Sequence, residues 1–400
     1  MKKTLLAFTV CAFLTACGGS DNDSSSSQPN SPSSKTGILT DGPIARASYT
    51  INGETRYTNA DGEFEYQEGD EITFKIGDIE IGTVLGAERI TPLELTNNPD
   101  IRTNLLIFLQ SLDIDGNHDN GIELPENLSS LSSTEIDFTL PTDEFIEILE
   151  SELSAVPGLE NSVVVTPEQA KENFKKSLLK DIAGIWYVQS NGTDESEIAL
   201  VIEEDGRYTM GEAVLNEPEN EGNGIEVGSI NLDPVTGKFT VETSLDTNDD
   251  WGLHDPYQPR TMSLQFNGKQ LRIEEADNAA EGATFSRVSN NTSGIIGVWE
   301  AAAGPIFVFN ANNTYFMLDP VGDELAETEY DKCGDPGIEF GNYTIENNIL
   351  HIDNIIVDTN GCAGLSDNGA TEQGLSLTFQ DGSFSFTIPD EGTFTLKKIN

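Results

Sequence analysis

From Thr36 to about Leu95, apolar and polar residues alternate with a period near two, in Ile44-Ala45-Arg46-Ala47-Ser48-Tyr49-Thr50-Ile51, Glu63-Phe64-Glu65-Tyr66, Ile72-Thr73-Phe74-Lys75-Ile76 and Ile79-Glu80-Ile81. Turn signals at Asn52-Gly53, Asp61-Gly62 and Glu68-Gly69-Asp70 separate these runs, which predicts a small antiparallel β domain over residues 37–96. The period then lengthens. Asn98-Pro99 is a cap and first-turn pair, and Ile101, Leu105, Phe108, Leu109 and Leu112 follow at helical spacing. A second helix is predicted over Asp143 to Leu153, and Thr166-Pro167-Glu168-Gln169 is a capping box that opens a third, with Ala170, Phe174, Leu178 and Ile182 on one face. These place a helical segment at 97–182, its apolar stripes read as core.

Beyond residue 182 the chain repeats itself. "IAGIWYV" at 182–188 returns as "IIGVWEA" at 295–301, "GSINLDPVTGKFTV" from 228 as "GNYTIENNILHIDN" from 341, and "MSLQFNGKQLRI" from 262 as "LSLTFQDGSFSF" from 375, all at one offset of 113. Short alternating strands with Gly or Asn turns predict two closed or nearly closed antiparallel barrels, at 183–289 and 293–400. The expected fold is therefore mainly β with a helical insert. "IFVFNANNTYFML" carries bulky alternates, which suggests that the interior of the second barrel is filled.

Three resemblances refine this reading. The pieces "LTDGPIARASY", "YTNADGEFEY" and "DEITFKIG" resemble the carboxypeptidase-regulatory-like and related prealbumin-type sandwiches, which implies a structural or adhesive module at 37–96. Gly184-Ile185-Trp186 and Gly297-Val298-Trp299 resemble the start of lipocalin-like (calycin) barrels, in which a basic residue near the last strand packs on the tryptophan. That resemblance implies such a role for Arg287 on Trp186. The aligned position in the second copy is Leu396, with Lys397 one residue out of phase. Calycin barrels often enclose a cavity, so a small apolar ligand is an expected occupant.

The stretch "LDIDGNHDNGIELPENL" at 112–128 resembles an EF-hand or dockerin-like loop. Counted from Asp115, the resemblance implies calcium ligands at Asp115, Asn117, Asp119, the carbonyl of Gly121, Glu123 and Glu126, with Pro125-Glu126-Asn127-Leu128 opening an exiting helix. Asn120 stands where such loops carry glycine, and Pro125 is a second irregularity. A hydrogen-bonded polar turn without an ion is the alternative. If calcium is bound, its role is structural. Two further acidic stretches, "LDTNDD" at 245–250 and "VDTNGC" at 357–362, are expected to be solvated loops.

The amino terminus pairs Lys2 and Lys3 with an apolar run from Leu5 to Leu14, too short to span a bilayer, and reads as a secretory signal over 1–16. Leu14-Thr15-Ala16-Cys17 resembles the lipobox of bacterial lipoproteins, which implies lipidation of Cys17 and attachment to a membrane. Gly18 and Gly19 are not the aspartate associated with inner-membrane retention, so the outer membrane is the expected address, on its periplasmic or its outer face. Residues 17–36 form a polar, low-complexity tether with nothing to bury. Of the four cysteines, Cys333 and Cys362 remain after the signal and the lipid are accounted for. Outside the cytoplasm a disulfide is their expected state, with a shared metal the weaker reading.

Composition removes several function classes. A formal net charge of −48 repels nucleic acid and attracts cations. The three histidines, His118, His254 and His351, are scattered, and no Gly-x-Ser-x-Gly elbow, His-Glu-x-x-His, Cys-x-x-Cys, P-loop or dinucleotide fingerprint is present. With 69 acidic residues, any pairing of carboxylates is uninformative. The expectation is a non-enzymatic, lipid-anchored envelope protein acting as a binding or adhesion module toward an envelope protein or polysaccharide. The alternative is a carrier of a small apolar ligand in one of the barrels.

Overall fold

The period-two runs near the start form two facing sheets in the computed structural model, which describes residues 34–131, 133–188, 196–214, 222–288, 294–302, 304–322, 335–361, 364–366, 373–380, 382–388 and 392–399. The expected signal, Cys17, most of the tether, Cys333 and Cys362 lie outside these residues. Strands β1 (Lys35–Leu39), β2 (Ile44–Ala45), β3 (Ser48–Ile51), β4 (Glu54–Tyr57), β5 (Glu63–Tyr66), β6 (Glu71–Ile76), β7 (Ile79–Leu85) and β8 (Arg89–Ile90) follow one another. One sheet has the order β5-β1-β8 and the other β4-β3-β6-β7. Phe64 of the first meets Phe74 of the second edge to face at 5.1 Å, with Tyr49 at 5.8 Å from Phe64, so aromatic rings fill the space between the sheets.

Four helices come next: α1 (Pro92–Leu95), α2 (Pro99–Ser111), α3 (Thr142–Leu153) and α4 (Pro167–Ile182). The expected caps form. Asn98 Oδ1 accepts from Asp100 N at 2.9 Å, and Thr166 and Gln169 make the reciprocal capping box of α4. The single turn α1, capped by Thr91 and Glu94, was not anticipated. Every residue of α2 from Arg102 to Ser111 is buried, because the sandwich, the other helices and the first barrel surround it. Its longest polar side chains are partnered, while Asn104 Oδ1 is buried without a hydrogen bond. Arg102 donates to the carbonyls of Pro92, Leu93, Thr96 and Val235, and Gln110 donates to Asp41 Oδ2 and Ala170 O, both at 2.9 Å. One apolar cluster runs from Leu39 through the helices to Phe285, so the segments separated in sequence share a core.

The helix expected to leave the acidic loop does not form. After a 3-10 turn at His118–Asn120 the chain makes β9 (Ile122–Glu123), which pairs in parallel with β2, and Ile122 N donates to Pro43 O at 2.9 Å. From Leu124 to Leu131 the chain then runs through a bend and a turn.

Each repeat closes into an eight-stranded meander in which consecutive strands are neighbours. The first barrel comprises β10 (Gly184–Val188), β11 (Ser196–Ile202), β12 (Arg207–Val214), β13 (Gly224–Asp233), β14 (Lys238–Asp246), β15 (Met262–Phe266), β16 (Gln270–Glu275) and β17 (Asn278–Arg287). The second comprises β18 (Gly297–Ala301), β19 (Ile306–Phe309), β20 (Thr314–Asp319), β21 (Gly337–Glu346), β22 (Ile349–Asp358), β23 (Leu375–Gln380), β24 (Ser383–Ile388) and β25 (Gly392–Lys398). They pack wall to wall. Ile185, Ala199, Ala213 and Ile225 of one meet Val298, Val308, Phe316, Leu318, Ile338 and Phe340 of the other. Hence β19 and β20 are buried on both faces, which is why their sequences lose the polar alternates of an ordinary barrel wall. Their inward residues, Phe307, Phe309, Tyr315 and Met317, do fill the second barrel.

Candidate functional site

Each barrel is built upward from a tryptophan floor. Gly184 and Gly297 adopt φ of 137° and 128° at the entry to the first strand, a conformation that favours glycine. Two residues later the Trp186 indole donates to Ile182 O at 2.8 Å and the Trp299 indole to Ile295 O at 2.5 Å. Where β17 closes onto β10, Trp186 faces Arg287 across the ladder, and the guanidinium lies 4.6 Å from the ring centroid. Arg287 also donates to Asp181 O at 2.9 Å, tying the floor to the end of α4.

The second barrel repeats this with a residue the sequence alignment did not select. Trp299 pairs with Lys398, whose ammonium sits 5.2 Å from the ring, while Leu396 points into the core. The last hairpin of the first barrel contains a bulge between Glu274 and Glu275, and that of the second pairs without one, so the offset changes in the final strand, where Arg287 answers to Lys398.

Above the floor both barrels hold a buried glutamate that anchors a long inward loop. Tyr208 donates its hydroxyl to Glu226, whose other oxygen accepts from Leu253 N at 2.9 Å and His254 N at 3.2 Å. Tyr315 donates to Glu339 at 2.5 Å, and Glu339 accepts from Leu365 N at 2.9 Å and from Ser366. Gly252 and Gly364 are required beside these carboxylates, since a Cβ on either would lie 2.4 Å and 1.9 Å from Glu226 and Glu339 oxygens respectively. Burial pushes the Glu226 carboxyl above the usual range, opposed by Tyr208 and the two amides. Sequence reasoning missed this pair, although Glu226 and Glu339 fall at the same offset as the quoted repeats.

The same loops correct the reading of the two acidic stretches. Thr247 and Thr359 hydroxyls accept from Ile225 N and Ile338 N, both at 2.9 Å, and Asn248 and Asn360 are fully buried. Thr247, Asp249 and Asp250 of the first stretch and Asp358 of the second are exposed. The Asp-Thr-Asn units begin the inward loops, and it is their asparagines that pack.

Beside the first of these loops, at the end of the barrel opposite Trp186, lies a cavity of about 400 Å³. Its walls are apolar, from Met210, Met262, Ile273, Ala283 and Phe285, with Trp251 at the side. Its polar groups are Glu212, Asp250, Arg260 and Glu275. Glu212 is 5% exposed, and burial lifts its carboxyl to about 7, with Ser196 and Arg260 opposing the rise and Glu226 adding to it. Arg260 is flanked by acids: Nε lies 3.3 Å from Glu275 and Nη2 3.7 Å from Asp255, although Nε is buried without a hydrogen bond, and Nη1 donates to Gly252 O at 3.2 Å.

The pairing around each tryptophan shows why the second barrel is built differently at this end. Ile273 and Ala283 face each other across β16 and β17, and their counterparts are Phe386 and Phe394, stacked at 5.7 Å. The counterpart of Glu212 is Asp319, which accepts from Val321 N at 3.1 Å and Gly322 N at 2.9 Å in its own turn. Two aromatics, Phe386 buried and Phe394 exposed at the rim, and a shorter acid thus stand where the first barrel has Ile273, Ala283 and Glu212.

The residues singled out for calcium have protein partners of their own in this structure. Glu123 pairs with Arg46 at 2.6 Å, and Asp115 accepts from Asn117 N at 2.8 Å and Asn120 Nδ2 at 3.0 Å, within its own turn. Asp119 lies on the 3-10 turn, Gly121 caps it with φ of 100°, and Glu126 is exposed beyond β9. Among the described residues no group of three or more His, Cys, Asp or Glu side chains is placed to hold a metal ion. Hydrogen bonds from Asn117 and Asn120 to Asp115 shape the turn that precedes β9, which pairs with β2. No protein-family model, curated protein or solved structure matches the chain.

Proposed function

We propose that this is a non-enzymatic binding protein that takes a small, mainly apolar molecule into the mouth of its first barrel, and that Cys17 anchors it by lipid in a bacterial outer membrane. One observation carries the first part. Of two barrels built on the same plan, the first leaves about 400 Å³ at its open end, a volume suited to a small ligand, where the second sets the stacked Phe386 and Phe394 in place of Ile273 and Ala283. An apolar wall with a few convergent polar groups binds by burial and orients by hydrogen bonding. The anchor rests on the lipobox resemblance, and a polar tether gives the folded part reach from the bilayer.

The test of binding uses a fluorescent apolar reporter, 1-N-phenylnaphthylamine, titrated into the protein and into the variant Ala283→Phe, which copies the second barrel. Saturable binding that the variant loses while keeping its melting temperature supports the reading; no binding, or binding unaffected by Ala283→Phe, overturns it. For the anchor, metabolic labelling with palmitate should mark the protein and leave Cys17→Ser unlabelled.

A further inference from the structure

We propose that the molecule held in the first barrel carries a protonated amine, seated against Glu212. This rests on the reading of the barrel mouth as a ligand site and adds the chemistry of the ligand's head. The charges around the cavity do not balance. Arg260 has two carboxylate neighbours, Glu275 and Asp255, so its charge is offset locally even though its buried Nε makes no hydrogen bond. Glu212 and Asp250 also line the cavity, Glu226 lies in the interior below, and the only cation among the lining residues is Arg260.

Glu212 is set apart from the other acids by depth. It projects inward on β12 one pleat beyond Met210, flanked by the apolar wall, and its counterpart in the second barrel is consumed by a turn. An ammonium entering the cavity meets a carboxylate that water scarcely reaches, where a charge-assisted hydrogen bond is strongest, while its alkyl or aryl body covers Met210, Met262 and Phe285. A carboxylate-bearing ligand meets net repulsion in the same place.

Calorimetric titration of the full-length protein with n-hexylamine, 1-hexanol and hexanoate tests this, because the three probes share one apolar body. The amine should bind about 10-fold or more tighter than the alcohol, and hexanoate most weakly. Glu212→Gln should abolish the amine's advantage over the alcohol, bringing the ratio of their affinities to about 1. Should that variant fail to fold, the wild type supplies the second readout: amine affinity rises as pH increases through the titration of Glu212, and alcohol affinity does not follow it. Equal affinity for amine and alcohol, or tightest binding of hexanoate, overturns the amine seat and leaves the binding site standing. If none of the three binds, and 1-N-phenylnaphthylamine fails as well, the site itself is refuted.

Discussion

The guanidinium of Arg287 lies over the ring of Trp186 at 4.6 Å because the two are cross-strand partners where the last strand of the first barrel closes on the first. The contact joins closure of the barrel to its attachment on α4, since Arg287 also holds Asp181 O. Trp186→Ala removes the largest fully buried side chain of the floor and should cost about 3–5 kcal/mol. Arg287→Ala should cost about 1–2 kcal/mol through the lost cation–π contact and hydrogen bond. Lys398→Ala, at the looser 5.2 Å contact of the second barrel, should cost less, about 0.5–1 kcal/mol. Urea unfolding followed by tryptophan fluorescence checks the order, which fails if Lys398→Ala proves the most damaging.

Tyr208→Phe leaves the Glu226 carboxyl with its two loop amides and no hydroxyl donor. A buried acceptor that loses a partner costs about 1–3 kcal/mol. Because that carboxyl anchors the inward loop, the amide of Leu253 should also exchange with deuterium faster than in the wild type, while amides of β18 and β19 should not. Tyr315→Phe should do the same to Leu365 in the second barrel. Exchange rates that stay unchanged in both loops would show that the tyrosines do not hold them.

Gly211 sits where the two barrel walls touch, and a Cβ there would lie 2.2 Å from Leu318 and 2.9 Å from Ile338 and Phe316. Gly211→Val should therefore push the walls apart without disturbing either interior, at about 1–3 kcal/mol. Differential scanning calorimetry should resolve two transitions in the variant, and small-angle scattering should report a larger radius. A single unshifted transition would mean that the walls are not coupled.

Much of this architecture is visible in the bare sequence because each β face buries one side and repeats. Gly-x-Trp recurs at one offset, and Thr166 with Gln169 announces α4 by chemistry that is local. Lys398 was hidden because a bulge in one copy shifts register, and register is a pairing property that no single strand displays. The acidic run from Asp115 resembles an ion site because its spacing is local, and that spacing could not show Arg46, which contacts Glu123 from 77 residues away. The cavity was illegible for a similar reason. Ala283 is an ordinary small residue until its partner on the neighbouring strand proves to be Ile273, and until the second barrel shows aromatics in both places.

Glu212 gives the protein a pH dependence whose sign can be worked out. An unfolded glutamate titrates near 4.5, and burial raises the folded value to about 7, so the folded state binds the proton more tightly. This group therefore contributes stability below pH 4.5 that is progressively lost as pH rises through 7, up to about 3 kcal/mol in total. Repulsion among the many other carboxylates also varies with pH, so the wild type alone is not diagnostic. The comparison with Glu212→Gln is, because the amide has no proton to lose. The variant's stability relative to wild type should improve between pH 5 and pH 8, measured by urea midpoints at each pH, with an amine ligand absent. Adding hexylamine should reverse the trend for the wild type alone, since an ammonium pairs with the ionised carboxylate. Parallel pH profiles for the two proteins would show that the Glu212 carboxyl is solvated and that the cavity is wetter than its walls suggest.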